Sequence, residues 1–130
     1  MKKNQQGFTL IEIMVVVVII GLLAAFVGPE VFQLFASGQE DIAAAKCKDI
    51  YNKVGLWKMT KKTGVPDSLD ELEAPLRKSQ DEPFMVMEPD PWGEDYRIVK
   101  LSRSKYRICS NGPDMEPDTD DDICYPEDKE

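Results

Sequence analysis

Not one histidine occurs among the 130 residues, and cysteine is scarce at three. The first absence removes imidazole acid–base catalysis and histidine-ligated zinc. No nucleophile motif and no glycine-rich phosphate loop stand in their place, and aspartate clusters alone define no reaction, so a membrane-tethered enzyme has little support. There are no internal repeats. Basic residues are also in the minority, 16 against 24 acidic, for a net charge of −8. Such a chain is not drawn to nucleic acid or to an anionic lipid surface by charge alone. Its length leaves room for one membrane segment and one small domain of about 70–90 residues.

What is present is an uncharged apolar run of 17 residues, Ile13 to Pro29, with a single carboxylate, Glu12, at its start. A charge at the bilayer centre costs roughly 2.5–3.5 kcal/mol on insertion scales. Glu12 therefore needs a partner, and its own segment is expected to offer none. The nearest basic residues, Lys2 and Lys3, lie in a polar leader of seven residues. Cleavage after Gly7 would make Phe8 the N-terminus, and its protonated amine would neutralise Glu12 of a neighbouring copy. Two plainer readings stand beside this one. An ordinary signal peptide would use Leu23-Ala24-Ala25 as a weak cleavage site, although Glu12 interrupts the start of its core. A single-span anchor needs only the length, and 17 apolar residues just suffice.

With the basic leader inside, the positive-inside rule sends the C-terminal part across the membrane, into the periplasm of a Gram-negative cell. Without Lys2 and Lys3 that chain carries 14 basic against 24 acidic side chains, or −10. An oxidising compartment also suits Cys109 and Cys124, which lie late and close together.

From Thr9 to about Lys62 the pattern is that of one nearly continuous helix. Its first half is apolar all round, as lipid or a bundle core requires. Pro29 predicts a kink or melted turn over 25–29, since it lacks a donor and clashes one turn back. The second half is amphipathic: Ala43, Cys47, Ile50, Val54 and Trp57 recur at helical spacing and mark the face that packs on the C-terminal domain. At 1.5 Å per residue such a helix reaches on the order of 80 Å, more than so small a domain needs, which implies packing against other copies. Gly64 is expected to end it. A short helix capped by Asp67 or Ser68 follows, and residues 73–91, with four prolines, read as loop. Tyr96–Leu101 and Ser104–Cys109 alternate as two strands of an antiparallel hairpin. Trp57 and Trp92 read as core anchors, and Cys47 as a small core residue.

The sequence Gly7-Phe8-Thr9-Leu10-Ile11-Glu12 after a short basic leader resembles the processing signal of type IV pilins and type II secretion pseudopilins. The resemblance implies a prepilin peptidase that cuts after Gly7 and methylates the new Phe8 amine. It implies residues 1–7 as cleaved leader, 8–29 as transmembrane and filament-core helix, 30–63 as its amphipathic continuation, and 64–130 as a periplasmic domain. The expected fold is α+β and pilin-like: one long N-terminal helix packed by its second half on a small antiparallel sheet.

The last part of the chain concentrates five aspartates between Asp114 and Asp122. Unpaired, they would repel one another. Calcium takes six to eight oxygens from such loops, whereas an EF-hand fails, because its sixth position from Asp118 is Ile123 and its twelfth Lys129. A merely solvated acidic tail is the alternative. Asp90-Pro91-Trp92-Gly93-Glu94-Asp95-Tyr96, the hairpin, and Ser110-Asn111-Gly112-Pro113-Asp114 through Asp122-Ile123 resemble the major-pseudopilin family of type II secretion, as do Pro29 and the helix from Ala44. That family binds one calcium ion in this loop. The resemblance implies Asp114 as first ligand, Asp120 and Asp122 as the later pair, and carbonyls near Asn111 and Asp118. Three consecutive aspartates, and Asp118 where family loops are glycine-rich, depart from the pattern. A Cys109–Cys124 disulfide would close about 15 residues and contribute roughly 3 kcal/mol. Two free buried thiols are the alternative.

The expected role is a structural subunit, polymerising with copies of itself into a periplasmic pseudopilus with minor pseudopilins and an inner-membrane assembly platform. A type IV pilus subunit for adhesion or motility is the alternative. It is favoured mildly by the cysteine pair and disfavoured by Trp92-Gly93 and the acidic loop.

Overall fold

The computed structural model describes residues 7–127, so residues 1–6 of the expected leader lie outside the described residues. Leu10–Lys61 form one helix of 52 residues, α1. A 3-10 turn at Leu69–Glu73 and strands β1 (Arg97–Lys100), β2 (Tyr106–Ser110) and β3 (Ile123–Tyr125) follow. The chain divides into two units, the first ending at Ser37 and the second beginning at Gly38.

The first unit is the apolar part of α1, where every side chain from Gly7 to Phe35 is exposed. A helix that is apolar and exposed all round has no partner within its own chain. It is long and apolar enough to cross a membrane. The helix runs through Pro29 without the melted turn expected there. Proline removes one donor, and the turns on either side keep their own bonds, so the loss stays local.

In the second unit the predicted stripe is the buried one: Ala43, Cys47, Ile50, Val54 and Trp57 are the buried residues of α1. The last four pack with Leu72, Tyr106 and Ile108 in the core. The helix stops at Lys61 rather than at Gly64, because Lys62 takes the left-handed conformation, φ 54°, that closes helix ends. Ser68 caps the 3-10 turn by accepting from the Asp70 amide at 3.1 Å. Loop 73–91 returns to the core through the Met85 amide, which donates to the Leu72 carbonyl at 3.1 Å.

β1 and β2 pair antiparallel in the register Arg97–Cys109 and Lys100–Tyr106. β3, absent from the sequence expectation, adds to the far side of β2 with Cys109 opposite Cys124 and Ser110 opposite Ile123. Three residues are too few to show alternation; pairing and the crosslink make them a strand. The expected disulfide is present between Cys109 and Cys124, with Cα atoms 4.1 Å apart. Trp57 is a core anchor, but Trp92 is only half-buried and lies outside the core. It sits in a turn organised by Asp90, whose carboxylate accepts from the Trp92 and Glu94 amides.

Candidate functional site

Two regions bring together the residues singled out in the sequence. The first is the start of α1. Glu12 accepts a hydrogen bond from the Thr9 amide at 3.0 Å, while the Glu12 amide donates to the Thr9 hydroxyl at 3.3 Å. This is a capping box: threonine at the cap and glutamate three residues on satisfy each other's free amides. Glu12 thus has one partner on its own segment after all, which corrects the expectation of none. The signal was legible as Thr-x-x-Glu before an apolar run. One amide does not neutralise a full charge, so the demand for a cation in a low-dielectric setting persists. Phe8 is 84% exposed, and Gly7 lies in open space.

The second region is the loop from Ser110 to Ile123. It rests on Asp90, which is buried beneath it. One carboxylate oxygen of Asp90 accepts from the Trp92 amide at 3.1 Å and the Glu94 amide at 2.9 Å. The other accepts from the Ser110 hydroxyl at 2.5 Å. Ser110 in turn accepts from the Gly112 amide at 3.2 Å. Asp90 therefore ties the Pro91–Glu94 turn to the point where the chain leaves β2.

Arg97 reaches the same loop from β1. Its Nε donates to the Asn111 side-chain oxygen at 2.9 Å, and one Nη donates to Asp118 at 3.2 Å. The other Nη pairs with Asp122 Oδ2, which also accepts from the Asp118 amide at 2.9 Å. Asp118 has φ 65°, a left-handed position that aspartate tolerates better than most residues. That conformation explains why glycine-rich loops and an aspartate are alternatives here.

Of the residues expected to ligate calcium, Asn111, Asp118 and Asp122 are brought together around Arg97, the first two through their side chains rather than the carbonyls expected of them. Asp114 is turned to other work: its two oxygens accept from the Glu116 amide at 3.0 Å and the Thr119 hydroxyl at 2.7 Å. The Thr119 bond first, then the Glu116 amide, hold its carboxyl below the usual range. Asp120 and Asp121 are exposed. Among the described residues no three acidic, cysteine or histidine side chains are grouped to hold a metal. Asp122 Oδ1 is buried and without a hydrogen-bond partner, but calcium asks for six to eight oxygens. As placed, these residues do not fit a calcium shell. Sequence reasoning missed Asp90 and Arg97. Asp90 carried a signal, since Asp-Pro-Trp-Gly reads as a side-chain-closed turn; Arg97 carried none.

The third cysteine, Cys47, lies on the buried face of α1 well beyond the apolar run. Its thiol donates to the Ile123 carbonyl at 3.4 Å. Burial pushes that thiol up to about 12, which makes it inert rather than nucleophilic.

A capped apolar helix after Gly-Phe, followed by a small sheet with a C-terminal loop folded on it, defines a pilin-like subunit. Residues 2–28 match the prokaryotic N-terminal methylation motif. Residues 30–125 match the type II secretion system protein G model. The type II secretion system core protein G of Dickeya chrysanthemi is 37% identical over 95% of this chain and 87% of its own length. That of Escherichia coli K12 is 35% identical, over 92% and 90%, and that of Pseudomonas aeruginosa 32%, over 94% and 95%. The crystal structure of the major pseudopilin of enterohaemorrhagic Escherichia coli shares the fold at TM-score 0.55. It is 21% identical, over 72% of this chain and 87% of that one. The chain belongs to the type II secretion system protein G family. It is a structural subunit of the pseudopilus, and the match over residues 30–125 decides for secretion over the surface pilus.

Proposed function

We propose that the chain is cut after Gly7 by a prepilin peptidase, N-methylated on Phe8 and held in the inner membrane by residues 8–29. It then polymerises into the periplasmic filament, with minor pseudopilins and an inner-membrane platform as partners. The observation that carries this reading is Glu12, capped by Thr9 at the head of an exposed apolar helix. A subunit in the bilayer carries a carboxylate satisfied by one amide. Docking beside the terminal ammonium of a subunit already in the filament supplies the missing charge. That gain exists only in the polymer and only after cleavage, so it orders the two steps.

Replacing Glu12 with alanine is expected to leave the protein membrane-inserted while filaments and secretion are lost. Mass spectrometry of the native material should show the chain beginning at a methylated Phe8. Normal filaments from the variant, or an intact first heptapeptide in wild type, would refute the reading.

A further inference from the structure

Arg97 stands opposite Cys109 in the sheet, and Cys109 stands opposite Cys124. The disulfide therefore closes one rung of the β2–β3 ladder. The register continued outward places Asn111 opposite Asp122, two residues on and on the same face. Those are two of the groups that the guanidinium holds, with Asp118 as the third. Three donors of one rigid fork thus meet the first, a middle and the last residue of the 111–122 loop. Burial decides which bonds matter. Asp118 is 83% exposed at the side chain and its pairing is screened, whereas Asp122 is 11% and Arg97 25% exposed. The Arg97–Asp122 pair and the Asn111 bond dominate. Arg107 also lines the open pocket beside Asp118, Asp120 and Asp122, so a second guanidinium borders the acidic cluster.

We propose that Arg97 is the resident cation of this loop, holding the Asp122 carboxylate that the family resemblance would assign to calcium together with the side chains of Asn111 and Asp118, so that the loop closes without a metal. A strand-borne arginine presents its charge in fixed geometry and needs no dehydration of a free ion. The loop would then keep its shape at any calcium concentration. This reading does not depend on how the filament assembles.

The test uses the full chain in detergent, with calcium chloride and EDTA as the probes, and chymotrypsin, whose cleavage after the exposed Met115 of the loop is followed by mass spectrometry. For wild type the expected cleavage rate is the same in EDTA and in excess calcium, and calorimetry with calcium chloride shows no saturable binding. Arg97→Gln is expected to be cut about tenfold faster in EDTA, the fold-change of one lost charge-assisted bond. Arg97→Lys, which keeps the charge but not the fork, should fall between. Saturable calcium binding by wild type, or wild-type protection lost in EDTA and restored by calcium, overturns the proposal. So does an Arg97→Gln loop cut no faster than wild type. If Arg97→Gln does not fold, the two wild-type measurements and Arg97→Lys decide.

Discussion

The hydroxyl of Ser110 donates to the carboxylate of Asp90 at 2.5 Å, with both residues buried. This contact joins residues 20 apart in sequence and fixes where the C-terminal loop departs from the sheet. Three further amide bonds converge on the pair, from Trp92, Glu94 and Gly112. Asp90→Ala would leave a buried hydroxyl and two amides short of an acceptor. The expected destabilisation is about 3 kcal/mol, with Asp90→Asn costing less because it keeps an acceptor. Chemical denaturation of the detergent-solubilised chain measures it, and an alanine variant as stable as wild type would contradict this role.

Gly112 has φ 72°, and a Cβ there would lie 2.0 Å from the backbone oxygen of Asp121. No side-chain rotation relieves a clash with backbone. Gly112→Ala should cost at least about 2 kcal/mol and speed protease cleavage of the loop, while Gly64→Ala, in open space, serves as the tolerant control. Equal behaviour of the two variants would remove the argument.

The disulfide closes a loop with a separation of 15 residues. Its loss in Cys109→Ser/Cys124→Ser should lower stability by about 3 kcal/mol in the chain-entropy model. The periplasmic protein should migrate faster on a non-reducing gel than on a reducing one. Identical migration would show that the bond does not form in the cell.

Burial pushes the Tyr106 phenol up from 10.0 to about 12, and it raises Tyr96 as well. A phenol that stays neutral in the fold but ionises at 10.0 when unfolded stabilises the fold fully below pH 10. That contribution is lost as pH rises toward 12. Stability should therefore fall between pH 10 and about 12, with less loss in Tyr106→Phe. The Cys47 thiol, also pushed up to about 12, should resist alkylation in the native protein at neutral pH and react once it is unfolded. Tyrosinate absorbance from Tyr106 already complete near pH 10, or rapid native labelling of Cys47, would count against these burials.

The helical register was legible from the chain alone because period is a local property. Ala43, Cys47, Ile50, Val54 and Trp57 recur at 3–4 residue spacing, and each is buried. The apolar run with Glu12 at its head, the Gly-Phe junction and the closing cysteine pair were readable for the same reason: composition and spacing carry them. β3 was not, since Ile123–Tyr125 is too short for a pattern and becomes a strand only by pairing with β2. Nor was the fate of the acidic loop. Five aspartates in nine residues announce a need for positive charge, but not its source. Arg97 lies 25 residues from Asp122, and only the sheet register carries its guanidinium to the loop. Local patterning determines which residues need partners, whereas long-range pairing decides which partner arrives, because loop closure joins groups that no sequence window contains.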